Sequence, residues 1–257
     1  MAFSLTPLVL FCDFGLPYIG QMKARMVEVL GADVAHHPII DLFHDAPKYD
    51  VRAGSVLLAA HANDFPLGSV FVCVVDPGVG SSARRPGVVF AGGRWFVGPL
   101  NGLFEHVLRR WPDKETEVYE ITWVPEHLSA SFHGRDLFAP VAARIARGGG
   151  ARIDGLAAVA VEDVRHKEFE DDVAAVIYAD DFGNLVTGVR WNSLKDDATL
   201  EVQGLVLPRA RTFSDVEPGT LFVYENAVGL VEISANQQNA QNVLDIGPGT
   251  RVIITQV

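Results

Sequence analysis

Ser69-Val70-Phe71-Val72-Cys73-Val74-Val75-Asp76-Pro77-Gly78-Val79-Gly80 is the stretch whose reading decides the fold class. A short continuous apolar run rich in valine, bounded by Gly68 before and Asp76-Pro77-Gly78 after, suits a strand buried on both faces of an α/β sheet. Asp76 then follows the strand's carboxyl end, where open α/β sheets bind their ligands. The letters from Gly78 to Ala83 also fit G-x-G-x-x-A, but a dinucleotide fingerprint needs a helix directly after it. Here Arg84-Arg85-Pro86 leads into Gly87-Val88-Val89-Phe90-Ala91, a turn at Gly92-Gly93 and Trp95-Phe96-Val97, which reads as a hairpin. The fingerprint is set aside on that ground.

Upstream, Leu8-Val9-Leu10-Phe11-Cys12 reads as another buried strand, again followed by an acid in Asp13-Phe14-Gly15. Met22, Met26, Val29 and Leu30 then recur at helical spacing, with Gly31 as the helix stop. Asp13-Phe14-Gly15 and His133-Gly134-Arg135-Asp136 look faintly like kinase motifs, but they occur in the wrong order for a kinase. His36, His37, Asp41 and His44 read as solvated loop residues, because no His pair has i, i+4 spacing on a clear helix and no cysteine is near. A helix is expected from Asp50 to His61.

Downstream, Gly98-Pro99-Leu100-Asn101-Gly102 is a second glycine loop, followed by a helical pattern with Leu103, Val107 and Leu108 inward. Glu117 to Ile121 reads as a strand. His133-Gly134-Arg135-Asp136 opens a helix whose Leu137, Val141 and Ile145 share a face, with Pro140 tolerated in its first turn. Composition changes at Gly148-Gly149-Gly150, and a charged connector runs to Glu170. Beyond it the period becomes two, with strands expected at Val173 to Tyr178, Leu185 to Val189, Thr199 to Leu207, Leu221 to Tyr224, Gly229 to Ile233 and Arg251 to Gln256. That pattern suits a small β-barrel or sandwich.

A chain of 257 residues, 49% hydrophobic, can bury a full core. With 21 basic against 32 acidic residues and a net charge of -11, nucleic acid and anionic membranes are poor partners, and a small molecule is the better one. Cys12 and Cys73 both fall in apolar runs and read as small buried hydrophobes in a reducing compartment. Met1-Ala2-Phe3-Ser4-Leu5 lacks a basic region and a cleavage site, and no apolar run approaches the roughly 20 residues of a membrane span. A cytoplasmic protein is expected.

Asp13-Phe14-Gly15, Val75-Asp76-Pro77-Gly78-Val79-Gly80, Gly98-Pro99-x-Asn101-Gly102, Phe132-His133-Gly134-Arg135-Asp136 and Phe182-Gly183-Asn184-Leu185-Val186-Thr187 occur in the order seen in the S-adenosylmethionine hydroxide adenosyltransferases, relatives of the fluorinase and chlorinase. The chain resembles that family over nearly its whole length. The resemblance implies a Rossmann-like α/β sandwich domain over residues 1–160 and a smaller C-terminal β-barrel domain over 161–257 with the preceding connector. It implies a homotrimer with active sites between subunits, no metal and no cofactor. The implied reaction is attack of water on C5′ of S-adenosylmethionine, giving adenosine and L-methionine. The water-activating residues would be Asp76, Arg84 and His133, with Arg85 the alternative to Arg84. Asp13 would hold the ribose, Tyr49, Phe182 and Phe213 would pack on ribose and adenine, Asn184 would hydrogen-bond adenine, and Asp180 stands with them among the substrate-binding positions.

The sequence departs from the family twice. The segment Gly15-Leu16-Pro17-Tyr18 is shortened and lacks an acid that elsewhere holds the methionine ammonium, and Ala227 stands where a hydroxyl residue commonly meets the methionine carboxylate. The nucleoside half of the site is kept and the amino-acid half altered. Displacement at a sulfonium needs no general acid, because the leaving thioether is neutral. The nucleophilic water must be held in line and relieved of a proton. Arg84 can polarise it, Asp76 can orient it, and His133, with an unperturbed pKa of about 6.5, can take the proton. Two alternatives stay open: transfer from another adenosyl substrate or to a halide, which an anionic Asp76 disfavours, and a non-catalytic nucleoside-binding protein.

Overall fold

In the computed structural model, which describes residues 5–81, 83–112, 115–148, 150 and 153–255, the chain divides between Phe169 and Glu170 into two compact units. Met1-Ala2-Phe3-Ser4, Ser82, Gly149 and Gln256, which enter the reading above, lie outside the described residues. The first unit runs β1 (Leu8–Cys12), α1 (Leu16–Leu30), β2 (Ile39–Phe43), α2 (Val51–Ala62), β3 (Val70–Val74), β4 (Pro86–Ala91), β5 (Arg94–Pro99), α3 (Glu105–Arg110), β6 (Glu117–Ile121), α4 (Ala139–Gly148) and β7 (Leu156–Val159). Its strands form one sheet in the order β2-β1-β3-β5-β4-β6-β7. The β2-β1-β3-β5 half is parallel, while β4 pairs antiparallel with both β5 and β6, and β6 with β7.

Every residue of β1 and β3 is buried, as an apolar run without alternation requires. Leu8, Leu10, Cys12, Val70, Val72 and Val74 face one layer, where Met22 and Met26 of α1 meet Val141 and Ile145 of α4. On the other face α2 comes down onto the sheet at Gly54, where an added Cβ would lie 3.3 Å from Leu103, 3.4 Å from Val75 and 3.9 Å from Phe11. The result is a three-layer α/β/α unit. Gly31 ends α1 with a φ of 57°, and β4 and β5 form the expected hairpin, so a strand and not a helix follows Gly80.

The second unit comprises β8 (Val173–Ala179), β9 (Leu185–Arg190), β10 (Thr199–Val202), β11 (Leu205–Leu207), β12 (Leu221–Glu225), β13 (Leu230–Ala235), α5 (Ala240–Leu244) and β14 (Ile253–Thr255). Its antiparallel sheets run β12-β13-β9-β8 and β11-β10-β14. Bridges at Ala175–Arg251 and Arg209–Val223 join them at both edges, closing a small barrel around Val176, Leu185, Leu200, Val223, Val231 and Ile233.

The structure corrects several sequence expectations. The segment holding His36, His37, Asp41 and His44 contains β2, and His37 is buried, with Nδ1 3.3 Å from the Thr6 carbonyl. Among the described residues no group of His, Cys, Asp and Glu is arranged to hold a metal. The helix opened by His133 begins with a π-turn over Gly134–Phe138, whose register carries the Ala139 N–H to the Gly134 carbonyl. Pro140 follows that wide turn, where its missing N–H disrupts no α-helical ladder already in place. The stretch Thr199 to Leu207 is a hairpin and not one strand, turning at Gln203 and Gly204 with positive φ. Among the described residues no helix is long and apolar enough to cross a membrane.

The connector read between Gly148 and Glu170 supplies an edge strand, β7, to the first sheet, and beyond it a clamp. Glu105 on α3 is 1% exposed and accepts from Arg165 Nη2 at 2.8 Å, Arg109 Nε at 2.7 Å and the His166 backbone N–H at 2.8 Å. This ties residues 165–169 to α3, which is why the division falls after Phe169. Burial alone would raise the Glu105 pKa, but Arg165, the His166 amide and Arg109 outweigh it and bring it down to about 2. A depressed folded pKa stabilises fully above the unfolded value and is lost as pH falls through the folded one. Glu105→Gln is therefore expected to cost about 3 kcal/mol at neutral pH in urea unfolding, since it strands buried arginine charge. The parent's advantage over this variant should shrink as pH drops from 4.5 towards 2; an unchanged midpoint at neutral pH would contradict this role.

Candidate active site

Because β1 and β3 are parallel neighbours while the chain leaves β1 towards β2 on its other side, their carboxyl ends form the sheet's switch point. Asp13 directly follows β1, and its backbone N–H donates to the Val74 carbonyl at 3.2 Å, so the ladder continues one step into the site. Asp76 lies beyond β3. Both line a cavity of about 390 Å³, together with Val79, Phe132, His133 and Arg135.

The glycine loop after Asp76 folds back to bring Arg84 beside it. Gly80 has φ of +82°, and an added Cβ there would lie 2.6 Å from the Ala130 carbonyl, so only glycine lets this loop pack against the loop before His133. Arg84 Nε lies 3.0 Å from Asp76 Oδ2, with both side chains nearly buried at 5% and 3% exposure. The Arg84–Asp76 contact is an ion pair without hydrogen-bond alignment, and among the described residues only the Gly78 amide, by its effect on the Asp76 carboxyl, stands as a weak donor to it. The Arg84 Nη2 contacts His133 Nδ1, and the guanidinium carbon sits 5.4 Å over the Phe138 ring. Since a guanidinium can only donate, Nδ1 is the acceptor and the neutral imidazole carries its proton on Nε2.

Arg85 points elsewhere. Its Nε donates to Glu120 on β6 at 3.0 Å, so between the adjacent arginines it is Arg84 that stands with Asp76 and His133.

The electrostatics follow from burial. Burial raises the Asp76 carboxyl above the ordinary aspartate value and Asp13 adds to the rise, while Arg84 and the Gly78 amide oppose it. The Asp13 carboxyl is also raised by burial, against the Tyr49 amide and Lys48. His133 is lowered, first by burial and then by Arg84, with Asp136 opposing. Buried acids with raised values beside a neutral imidazole in one cleft are the pattern of a reactive site.

Tyr49 joins the site through its backbone. It adopts a φ of 62°, uncommon for a bulky residue, and its N–H donates to Asp13 Oδ2 at 3.2 Å while its ring is 79% exposed. The remaining expected residues, Asp180, Phe182, Asn184 and Phe213, line a separate cavity of about 670 Å³ in the second unit. Asp180 Oδ1 accepts from the Phe182 and Asn184 N–H groups and its Oδ2 from Asn184 Nδ2, so it shapes the loop that presents the Asn184 amide. Phe182 is 80% exposed, and Phe213 packs edge-to-face on Phe222 and at 66° on Tyr224.

Sequence reasoning missed Tyr18, Gln21 and Arg135 in the first cavity and Tyr224, Glu232 and Gln238 in the second. Tyr224 and Glu232 are a cross-strand pair of β12 and β13, with Tyr224 donating to Glu232 at 2.5 Å. Polar residues on inward-facing strand positions were the available signal for that pair; Arg135 and Tyr18 stood in the quoted motifs without a role assigned to them, and Gln21 and Gln238 carried no signal.

The chain matches the family model of the SAM hydroxide adenosyltransferase N-terminal domain over residues 8–154 and that of the C-terminal domain over 174–253. It belongs to the SAM hydroxide adenosyltransferase family. A protein from Salinispora arenicola named (R)-S-adenosyl-L-methionine hydrolase is 37% identical over 228 residues, which is 84% of this chain and 86% of that protein. One of the same name from Thermus thermophilus is 33% identical, covering 96% of this chain and 99% of its own length. A solved structure described as an uncharacterized conserved protein from Thermotoga maritima superposes with a TM-score of 0.76 at 29% identity, covering 97% of this chain and 100% of that one.

The contact between Arg84 and His133 sets an expected titration. His133 should show a pKa below the ordinary 6.5 by NMR, and Arg84→Met, which removes the charge but keeps much of the bulk, should move it back upward. A His133 titration indifferent to Arg84 would separate the two residues.

Proposed function

We propose that the chain cleaves S-adenosyl-L-methionine with water at C5′, giving adenosine and L-methionine. The observation that carries this reading is the buried Asp76–Arg84–His133 group closing a cavity that also holds Asp13, in a member of a family whose similar proteins bear the hydrolase name. In the reaction the water oxygen forms a bond to C5′, the C5′–S bond breaks, and its electron pair goes to sulfur, which leaves as a neutral thioether. The substrate is its own activated electrophile, so the chemistry calls for neither cofactor nor metal.

The proton goes to Asp76. The sequence reading gave that task to His133; with the Nδ1 lone pair of His133 engaged by Arg84, the Asp76 carboxylate, more basic than an ordinary one, is the acceptor we assign instead. Arg84 lowers the pKa of the attacking water by its charge. His133 holds Arg84 in place, and its Nε2–H is available as a donor. A carboxylate at this position repels a halide nucleophile, which favours water.

Asp13 is the group we assign to the ribose hydroxyls. For the second unit, Phe182, Phe213 and Asn184 are assigned to the adenosine of a neighbouring subunit in a homotrimer. Two bare aromatic rings, Tyr49 and Phe182, support a covered surface in the assembly. A reducing cytoplasmic setting accords with free, buried Cys12 and Cys73.

Incubation with S-adenosylmethionine and chromatography should give adenosine. Asp76→Asn is expected to lower kcat by about 100- to 10,000-fold with a smaller change in KM, and His133→Ala to lower kcat through loss of the Arg84 position. Arg84→Lys should stay impaired, because it loses the planar fork, while Arg85→Ala should remain near the parent. If Arg85→Ala is the inactive variant, the assignment is wrong. The pH profile follows from the shifts: Asp76 must be ionised and its value is raised, and His133 must be neutral and its value is lowered. Activity should therefore fall on the acid side as Asp76 takes its proton, at a pH above the ordinary aspartate range, with no loss on the alkaline side from His133. Light scattering at micromolar protein should give three times the monomer mass; a monomer with full activity would exclude the shared site.

A further inference from the structure

The second glycine loop, Gly98-Pro99-Leu100-Asn101-Gly102, holds none of the reacting groups, and Asn101 lines neither the cavity of Asp13 and Asp76 nor that of the second unit. It grips instead the loop that carries the Asp76–Arg84 ion pair. Asn101 Nδ2 donates to the Val75 carbonyl at 3.0 Å, one residue before Asp76, and the Leu100 N–H donates to the Arg85 carbonyl at 2.8 Å, one residue after Arg84. The two bonds bracket residues 76–84 from both ends.

The grip is itself held. Asn101 Oδ1 accepts from the Leu103 N–H at 3.2 Å, so the amide nitrogen faces Val75; turned over, its oxygen would meet a carbonyl oxygen and its nitrogen an N–H. An added Cβ at Gly98 would lie 2.2 Å from the Cys73 carbonyl, and one at Gly87 2.5 Å from the Leu100 side chain, so β5 closes on β3 and β4 on the turn. Between the two anchors the loop bonds to itself: Val79 N–H to the Asp76 carbonyl at 3.2 Å, Ser81 to Gly78 at 3.0 Å and Arg84 to Ser81 at 3.3 Å. The ion pair within it has no hydrogen-bond alignment of its own, with Arg84 Nε 3.0 Å from Asp76 Oδ2. Its geometry must therefore come from the backbone on either side.

We infer that Asn101 is a positioning residue for water activation: through the Val75 carbonyl its amide sets where the Asp76 carboxylate stands against Arg84, without touching the substrate. This rests on the hydrolase reading, yet it can also be measured without turnover. In Asn101→Ala, kcat for adenosine release from S-adenosylmethionine is expected to fall about 10- to 100-fold, the scale of misplacing a reacting group by about 1 Å, with KM within about twofold of the parent. Asn101→Ser, whose hydroxyl can still accept from the Leu103 N–H but is too short to reach Val75, should fall as far. The Asp76 carboxyl, followed by carbon NMR, should titrate lower in both variants than in the parent, because a carboxyl free to leave its buried place loses the desolvation that raises it; Arg84, the Gly78 amide and Asp13 are the other groups acting on it. A turn residue that only kept the unit folded would lower the active fraction and leave the titration of the folded molecules where it was. Parent-like kcat in Asn101→Ser, or an Asp76 titration unchanged in both variants, would overturn the inference. A parent that releases no adenosine, but whose Asp76 titration still moves on substitution of Asn101, would remove the hydrolase reading and leave the grip of Asn101 on Asp76; adenosine release by the parent with neither kcat nor titration changed in Asn101→Ser would do the reverse.

Discussion

The pairing of β1 with β3 is the constraint on which the site depends. Two fully buried strands, Leu8–Cys12 and Val70–Val74, lie side by side in parallel register from Leu8 opposite Val70 to Cys12 opposite Val74. The N–H of Asp13 adds a further bond to the Val74 carbonyl. Parallel register makes both strands end at the same edge of the sheet, so the acid that follows each one arrives at the same crevice. A slip of one residue would turn Leu8, Leu10 and Cys12 from the α1/α4 layer to the other face, and the packing of both layers resists that.

Within that crevice, desolvation shapes the chemistry. A buried arginine beside a buried aspartate would ordinarily settle into a bidentate hydrogen-bonded pair. Here Nε and Oδ2 are 3.0 Å apart without hydrogen-bond alignment, and Arg84 also engages His133. The arrangement keeps the Asp76 carboxylate out of a bidentate pair while its charge is still balanced, which suits the role of proton acceptor proposed for it. Its cost is desolvated polar atoms, and it is held by the surrounding loops: Gly80 against the Ala130 carbonyl on one side, and the wide turn at Gly134–Phe138 on the other. Arg135 and Asp136, on that same turn, secure the loop before His133 through the Ser129 N–H.

Much of this was legible in the residue order. The apolar runs of β1 and β3 announce two-faced burial, Gly92-Gly93 announces a hairpin, and Gly31 a helix end. Asp13, Asp76 and His133 could be picked out as acids and a histidine following strands or opening a helix. β2 was not legible because Ile39-Ile40-Asp41-Leu42-Phe43 is a sheet-edge strand with half-exposed residues, and β7 is another edge, four residues long. α5 is a single short turn, although Asn239 caps it with its side chain on the Asn242 N–H.

The sequence by itself determined the α/β and β halves, the reaction class suggested by its separated motifs, and the set of groups available, because period, turn residues and residue chemistry are local properties. Only the tertiary structure decided which of those groups act together. Arg84 and Arg85 are adjacent and identical in composition, yet one turns in to Asp76 and the other out to Glu120 on β6, a choice made by packing against strands distant in sequence. The same holds for the proton on His133, fixed by an arginine 49 residues away, and for the amide of Gln21, fixed by Arg135 at a separation of 114. Hydrogen-bond direction depends on which donor lies within about 3 Å, and no local pattern encodes that.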